Sequence, residues 1–164
     1  MRHTISVLVE NKFGVLARIS TLFAARGFNI DSLSVGETEN ADVSRMTIIV
    51  QGDDRILEQV EKQLNKLVDV IKVFDFQQTK HVERDLALIK VKADKHNRSE
   101  ILQIVDVFRA KVIDAAQDSI IIEITGTEEK VDAMMELFKP FGIKEMSRTG
   151  VIAMARGAKL GNSK

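Results

Sequence analysis

The run Val9-Glu10-Asn11-Lys12-Phe13-Gly14-Val15-Leu16 sets an asparagine and a glycine just ahead of a helical repeat, Leu16, Ile19, Leu22 and Phe23. With Asn11 as the N-cap, the backbone amides of residues 12 to 15 have no intrahelical acceptors. Gly14 carries no side chain to shield them, so a carboxylate can approach the backbone closely. The field of a helix terminus favours such an anion by about 0.3–1 kcal/mol, and by about 2 kcal/mol when partly buried. The Asn11 side-chain oxygen can accept from an ammonium group. Gly27-Phe28-Asn29-Ile30, at the next strand, adds a second amide beside apolar residues. Donors for a carboxylate, acceptors for an ammonium and an apolar wall are what an α-amino acid needs. The same residues also make a plain cap at Asn11, a tight turn at Gly14 and a loop asparagine at Asn29, and spacing leaves both accounts open.

Chemistry of other kinds is missing. His3, His81 and His96 stand far apart and none is in a metal-ligand spacing, so they read as surface or strand-end residues. The absence of cysteine excludes disulfides, thiolate zinc sites, iron–sulfur clusters and a cysteine nucleophile, and it fits a reducing compartment. Glu58, Glu61, Glu128 and Glu129 fall on helix exteriors, where a solvated face explains them better than acid–base work. No serine sits in a nucleophile elbow, and neither a Walker motif nor a dinucleotide fingerprint occurs. Lysine plus arginine equals aspartate plus glutamate at 24 each, leaving no basic excess for nucleic acid or anionic lipid. Phe74 and Phe76 lie in an outer strand and read as core packing rather than a base-stacking platform. No apolar run approaches the roughly 20 residues that span a bilayer. Met1-Arg2-His3-Thr4 enters a strand pattern at once, so no signal peptide is expected and the location expected is cytoplasmic. No catalytic site is visible.

The elements that must position the candidate site follow one plan twice. Ile5, Val7 and Val9 alternate as a half-buried strand, and a helix then runs to Gly27. Residues 28–35 read as a second strand whose apolar parity slips between Ile30 and Leu33, predicting a bulge. Met46, Ile48 and Val50 mark a third strand. A cap at Gly52-Asp53-Asp54 precedes a helix with core positions Ile56, Val60, Leu64, Leu67 and Val68, and with Glu58 and Lys62 paired at i,i+4. Residues 70–76 close the unit. Gln77-Gln78-Thr79-Lys80-His81 is the expected linker, after which the order repeats. A strand runs from Leu86 to Val91, and a helix opens at Asn97 with Glu100 as a near capping box. Strands at 112–113 and 120–124 follow, then a helix capped by Thr127 and ended by Pro140 and Gly142. The final strand region, 143–155, breaks near Gly150, and a frayed Gly/Lys-rich tail is expected from Arg156. The fold class is therefore α+β, two tandem ferredoxin-like βαββαβ units. The expected domains are residues 1–78 and 79–164. A unit this short buries little more than about 60 % of its unfolded-chain surface, so pairing between units or chains is expected.

Asn11-Lys12-Phe13-Gly14-Val15-Leu16-Ala17-Arg18-Ile19, with Gly27-Phe28-Asn29-Ile30, resembles the opening of an ACT domain, a small-molecule sensing module. Phe13 departs from that pattern, since many ACT domains carry proline just before the glycine. Ser44-Arg45-Met46-Thr47-Ile48 and the run from Glu61 to Val73 resemble the third strand, second helix and fourth strand of acetohydroxyacid synthase small subunits. His81-Val82-Glu83-Arg84-Asp85-Leu86 and Ser147-Arg148-Thr149-Gly150-Val151 resemble that family's C-terminal domain. The resemblance implies an N-terminal ACT domain and a non-catalytic regulatory chain that pairs as a homodimer and binds a large catalytic subunit. It implies that thiamine diphosphate, magnesium and FAD belong to that large subunit, which makes acetolactate from pyruvate. It further implies activation of the large subunit and feedback inhibition by a branched-chain amino acid, usually valine. Family effector sites lie between two ACT domains, and the matching positions here are Asn11, Gly14, Val15, Leu16, Asn29 and Ile30. The rival expectation is a free-standing ACT-domain sensor that regulates another protein or a transcript.

Overall fold

The computed structural model describes residues 1–77 and 79–157; Gln78 of the expected linker and residues 158–164 of the expected tail lie outside the described residues. Close contacts gather the described residues into two compact units, one of residues 1–82 with 151–157, the other of Glu83–Gly150.

In the first unit the order is β1 (Arg2–Glu10), α1 (Val15–Ala25), β2 (Ile30–Glu37), β3 (Val43–Gln51), α2 (Asp54–Leu64) and β4 (Val70–Asp75). The strands form an antiparallel sheet in the order β2-β3-β1-β4. Alternation along β1 and β3 puts Ile5, Val7, Val9, Met46, Ile48 and Val50 on one face. Val15, Ile19 and Phe23 of α1 and Leu57, Val60 and Leu64 of α2 seal that face into a core. Phe28 closes its margin, edge-on to Phe23 with ring centroids 6.4 Å apart. Asp53 caps α2 by accepting from the Ile56 amide at 2.9 Å, and Lys62 meets Glu58 at 2.6 Å. β2 starts at Ile30, two residues later than expected, because Phe28 is still held by the end of α1 through its amide on the Phe23 carbonyl. The expected bulge is present, as a register slip between Ile30 and Ser32. Phe74 and Phe76 are buried as expected. Phe74 lies opposite Ser6, away from the helices, with Arg45 and Lys72 over its ring at 5.7 and 4.9 Å.

The second unit repeats the plan with β5 (His81–Lys92), α3 (Arg98–Val107), β6 (Lys111–Ala115), β7 (Ser119–Gly126), α4 (Glu128–Phe138) and β8 (Ile143–Arg148). Its sheet runs β6-β7-β5-β8, while β9 (Ile152–Ala155) pairs with β5 off that path. Ala87, Ile89, Val91, Ile120, Ile122 and Ile124 pack against Ile101, Val105, Val131, Met134 and Phe138. The chain is therefore two tandem ferredoxin-like units. Thr127 caps α4 as expected, its hydroxyl accepting from Lys130. Asn97 does not cap α3 through its side chain: its oxygen accepts instead from the Asp94 amide, and Asp94 accepts from the amides of His96 and Asn97. Three interlocked turn bonds outcompete one capping bond here. Arg156, the expected start of the frayed tail, is anchored, its amide donating to Lys80 at 2.8 Å.

One ion-pair network fastens the edge of the second sheet. Asp85, 2 % exposed, accepts from Arg148 at 2.7 Å, and the same guanidinium reaches Asp132 of α4 at 2.8 Å. Removing a buried partner strands the other charge, whereas removing a half-exposed one does not. Asp85→Ala is thus expected to cost about 3 kcal/mol, and Asp132→Ala under about 1 kcal/mol. Urea unfolding followed by circular dichroism checks both, and equal costs would contradict the asymmetry.

Candidate functional site

The turn between β1 and α1 is built around Gly14, whose φ of 79° is left-handed. That conformation stops the helical path, so α1 begins at Val15 with Gly14 as its N-cap and not at Asn11. This corrects the expected cap. The amides exposed by the helix start move with it. Val15 donates weakly to the Lys12 carbonyl at 3.4 Å, and the first helical bond runs from Arg18 to Gly14 at 2.9 Å. The amides of Leu16 and Ala17 have no acceptor among the described residues, no side chain caps the helix, and its first turn carries no acid.

Asn11, released from capping, is held differently. Its backbone amide donates to Asp42 at 2.7 Å, and its side-chain Nδ2 donates to the Ala41 carbonyl at 2.8 Å and to Glu37 Oε1 at 3.1 Å. These bonds fix the carboxamide with its oxygen left as an acceptor. Lys12 turns back onto Glu10 at 2.6 Å, and that hydrogen bond holds its ammonium above the usual lysine range. Asn11, Lys12 and Phe13 line an open cavity of about 460 Å³. Phe13 is fully exposed and offers apolar surface in it, and Leu16, at the start of α1, is 41 % exposed. Val15 faces the core at 3 % exposure and presents only its backbone.

Arg18, one helical turn beyond Gly14, closes the site from the side. Its Nε and a terminal nitrogen grip one Asp69 oxygen at 2.8 and 2.6 Å. Its other terminal nitrogen lies 3.1 Å from where a Cβ on Gly14 would stand. The positive φ favours glycine, and a Cβ there would also press on the tip of the Arg18 side chain. Arg18 sits at helical spacing from Gly14 and was readable in sequence. Glu37 and Asp69 come from distant segments with no such signal.

Asn29 and Ile30 are elsewhere in the same unit. Glu37 pairs with Ser44 and Glu10 with Val43 at the Gly14 end of the sheet, whereas Ile30 pairs with Val50 at the other. At roughly 3.3 Å per residue along β2 that is on the order of 20 Å. Asn29 donates to its neighbour Asp31 at 2.7 Å, and Ile30 packs partly into the core. The chain thus brings Asn11, Gly14, Val15 and Leu16 together and leaves Asn29 and Ile30 apart from them.

Among the described residues no cluster of His, Asp and Glu side chains is arranged to hold a metal ion, and no helix is long and apolar enough to cross a membrane. Comparison with known proteins matches residues 5–72 to a family model described as an AHAS small subunit-like ACT domain, and residues 84–157 to one described as the small subunit of acetolactate synthase. The chain is 56 % identical over 159 residues to a probable acetolactate synthase small subunit of Archaeoglobus fulgidus, covering 97 % of this chain and 99 % of that protein. It is 53 % identical over 157 residues to the acetolactate synthase small subunit of Mycolicibacterium smegmatis, covering 96 % and 92 %. The crystal structure of an acetolactate synthase small subunit from Thermotoga maritima superposes with a TM-score of 0.89 at 46 % identity, covering 97 % of this chain and 99 % of that one. The resemblance read from the sequence is borne out.

The double demand on Gly14 has a measurable cost. Gly14→Ala is expected to destabilise the protein by about 1–2 kcal/mol, since an alanine in the left-handed region is strained and its methyl must displace Arg18. Ala17→Gly, inside the first turn of α1, is expected to cost about 0.5–1 kcal/mol, by chain entropy alone. Thermal unfolding of the two variants beside the parent checks the order.

Proposed function

This chain belongs to the family of acetolactate synthase small subunits, and on that premise we propose that it activates a thiamine-diphosphate-dependent large subunit and inhibits it when a branched-chain amino acid binds. The large subunit condenses two pyruvates to acetolactate and carbon dioxide, and thiamine diphosphate, magnesium and FAD reside there. Valine is the proposed effector. Effector binding falls to the ACT domain, residues 1–78, and the C-terminal domain is drawn from residues 79–164, whose segment from Val151 returns to the first unit. The holoenzyme works in the cytoplasm, and neither nucleic acid nor a membrane is a partner.

The observation that carries the reading is the turn at Gly14. Open amides at Leu16 and Ala17 suit the effector's carboxylate, and the Asn11 oxygen suits its ammonium. Leu16 and Phe13 supply apolar surface for the side chain. Asn29 and Ile30 join this set from a second copy. β2 is the free edge of the first sheet, with Val35 47 % exposed on it. Two such edges paired antiparallel about a two-fold axis set the Asn29 end of one chain beside the Gly14 end of the other. The synthase is then controlled from a distance, through a coupling free energy typically of about 1–3 kcal/mol.

Reconstitution with the large subunit tests the reading. The parent chain should raise acetolactate formation, make none alone, and confer inhibition by valine. Gly14→Asp should abolish that inhibition while leaving activation largely intact. Its carboxylate would stand beside the first-turn amides, where the effector's carboxylate belongs, and aspartate tolerates the left-handed region better than most residues. Asn11→Ala and Asn29→Ala should each weaken valine binding by about 1–3 kcal/mol, roughly 5- to 150-fold, as read by calorimetry. Three folded variants that bind valine like the parent would place the site elsewhere.

Assembly is tested separately. Sedimentation at micromolar concentration should give a dimer, and Val35→Glu, which plants a charge on the β2 edge, should give monomer. A monomeric parent, with or without valine, counts against the two-chain site.

A further inference from the structure

The strand that takes Asn29 and Ile30 into the proposed effector site is tied to the far end of the chain. Pairing between β2 and β3 slips between Ile30 and Ser32, and directly after the slip Ser32 lies opposite Ile49. The Ser32 hydroxyl accepts from the Val151 amide at 3.1 Å, across 119 residues of sequence. Val151 is 2 % exposed, and a buried amide needs an acceptor; among the described residues Ser32 Oγ is the one it has. The segment is fastened at its other end too. The Arg156 amide donates to the Lys80 carbonyl at 2.8 Å, and its Nε donates to the His81 carbonyl at 3.2 Å. Between these anchors β9 pairs with β5 and Ala153 is 6 % exposed. Residues 151–156 are thus a strap over the first unit, and the peptide before Val151 belongs to Gly150, the last residue of the second unit.

We infer that Ser32 is a positioning residue, through which occupancy of the effector site at Asn29 and Ile30 is passed to the strap Val151–Arg156 and so to the chain of the second unit. Ile30 and Ser32 flank the slip, the one place on β2 where the ladder to β3 is already broken. A shift of Ile30 against a bound side chain is not held back by the β3 ladder at that point, and it passes along the strand to Ser32 and the amide it holds. The inference rests on the effector reading above and deepens it: it assigns the route by which binding becomes inhibition.

The test uses the parent chain, Ser32→Ala and Ser32→Thr, each free and reconstituted with the large subunit. Ser32→Ala should bind valine in calorimetry within about twofold of the parent. Its holoenzyme should need at least about fivefold more valine for half-inhibition, the lower end of typical allosteric coupling. Ser32→Thr keeps the oxygen and should restore the parent's response. Amide hydrogen exchange across residues 151–156 should slow with valine in the parent and in Ser32→Thr, and not in Ser32→Ala. Inhibition of the Ser32→Ala holoenzyme at the parent's valine concentration overturns the inference. So does joint loss of binding and inhibition in Ser32→Ala, or failure of Ser32→Thr to rescue. A parent chain that binds no branched-chain amino acid overturns the effector reading itself, and does so before Ser32 is touched.

Discussion

A single left-handed residue governs the N-terminal unit. Gly14 turns the chain from β1 into α1 at φ 79°, and each feature of the candidate site follows from that turn. Because the helix cannot start before Val15, Asn11 is free to stitch β1 to the β2–β3 connection, and its oxygen is left as an acceptor. Because Gly14 has no Cβ, the Arg18 guanidinium can lie against the turn while gripping Asp69. Asp69 in turn accepts from the Glu10 amide at 2.9 Å through its carbonyl, so the end of β1, the start of α1 and the corner before β4 are one locked assembly. The amides of the helix start are then held open without a side chain of their own to close them. Preorganisation of this kind reduces what a ligand must order when it binds.

The second constraint is the size of the units. A βαββαβ order places both helices on one face of its sheet, and the other face has to be covered by something else. In the first unit that face carries Thr4, Ser6, Thr47, Ile49 and Phe74, all buried. The strap fits this need, since Val151 hydrogen-bonds Ser32 of β2 and is itself buried. The return of the last strand to the first unit is therefore a packing solution as well as a connection. It explains why this largely apolar segment, Val151 to Ala155, is anchored as far as Arg156.

Most of the architecture was legible in the sequence because it rests on local periodicity. Ile5, Val7 and Val9 announce a strand by alternation, and Val131, Met134 and Phe138 announce a helix face, with no need of distant information. Even the slip in β2 was visible, as a change of apolar parity between Ile30 and Leu33. What was misread depends on competition that spacing does not record. Asn11 is a good N-cap residue by type, and only the left-handed geometry at Gly14, three residues later, forbids that use. Asn97 likewise has a good cap's identity, but Asp94 commands the surrounding amides. Of the site, Asn11 and Gly14 were found by chemistry and Arg18 was within reach. Glu37, Asp69 and the Ser32–Val151 tie are long-range pairings, and nothing in a single sequence sets one such pair above another.

A site split between two chains ties its affinity to how those chains are paired. A ligand with equal affinity for two arrangements of a protein shifts neither, however tightly it binds. Control requires a difference in affinity, and a divided site supplies one by construction. On the proposed reading, the Gly14 turn of one chain offers the carboxylate and ammonium contacts, and Asn29 and Ile30 of the other offer the second amide and the apolar wall. An amino acid satisfies all of them only when the two β2 edges stand in one register, so its binding free energy depends on how the chains are paired. The polar groups involved are largely exposed and each contributes modestly, about 0.5–1.5 kcal/mol for a neutral hydrogen bond and about 1.5–3 kcal/mol for one to a charged group. That is enough, since two or three such contacts present in one arrangement and absent in the other already reach the coupling of about 1–3 kcal/mol that allosteric control uses.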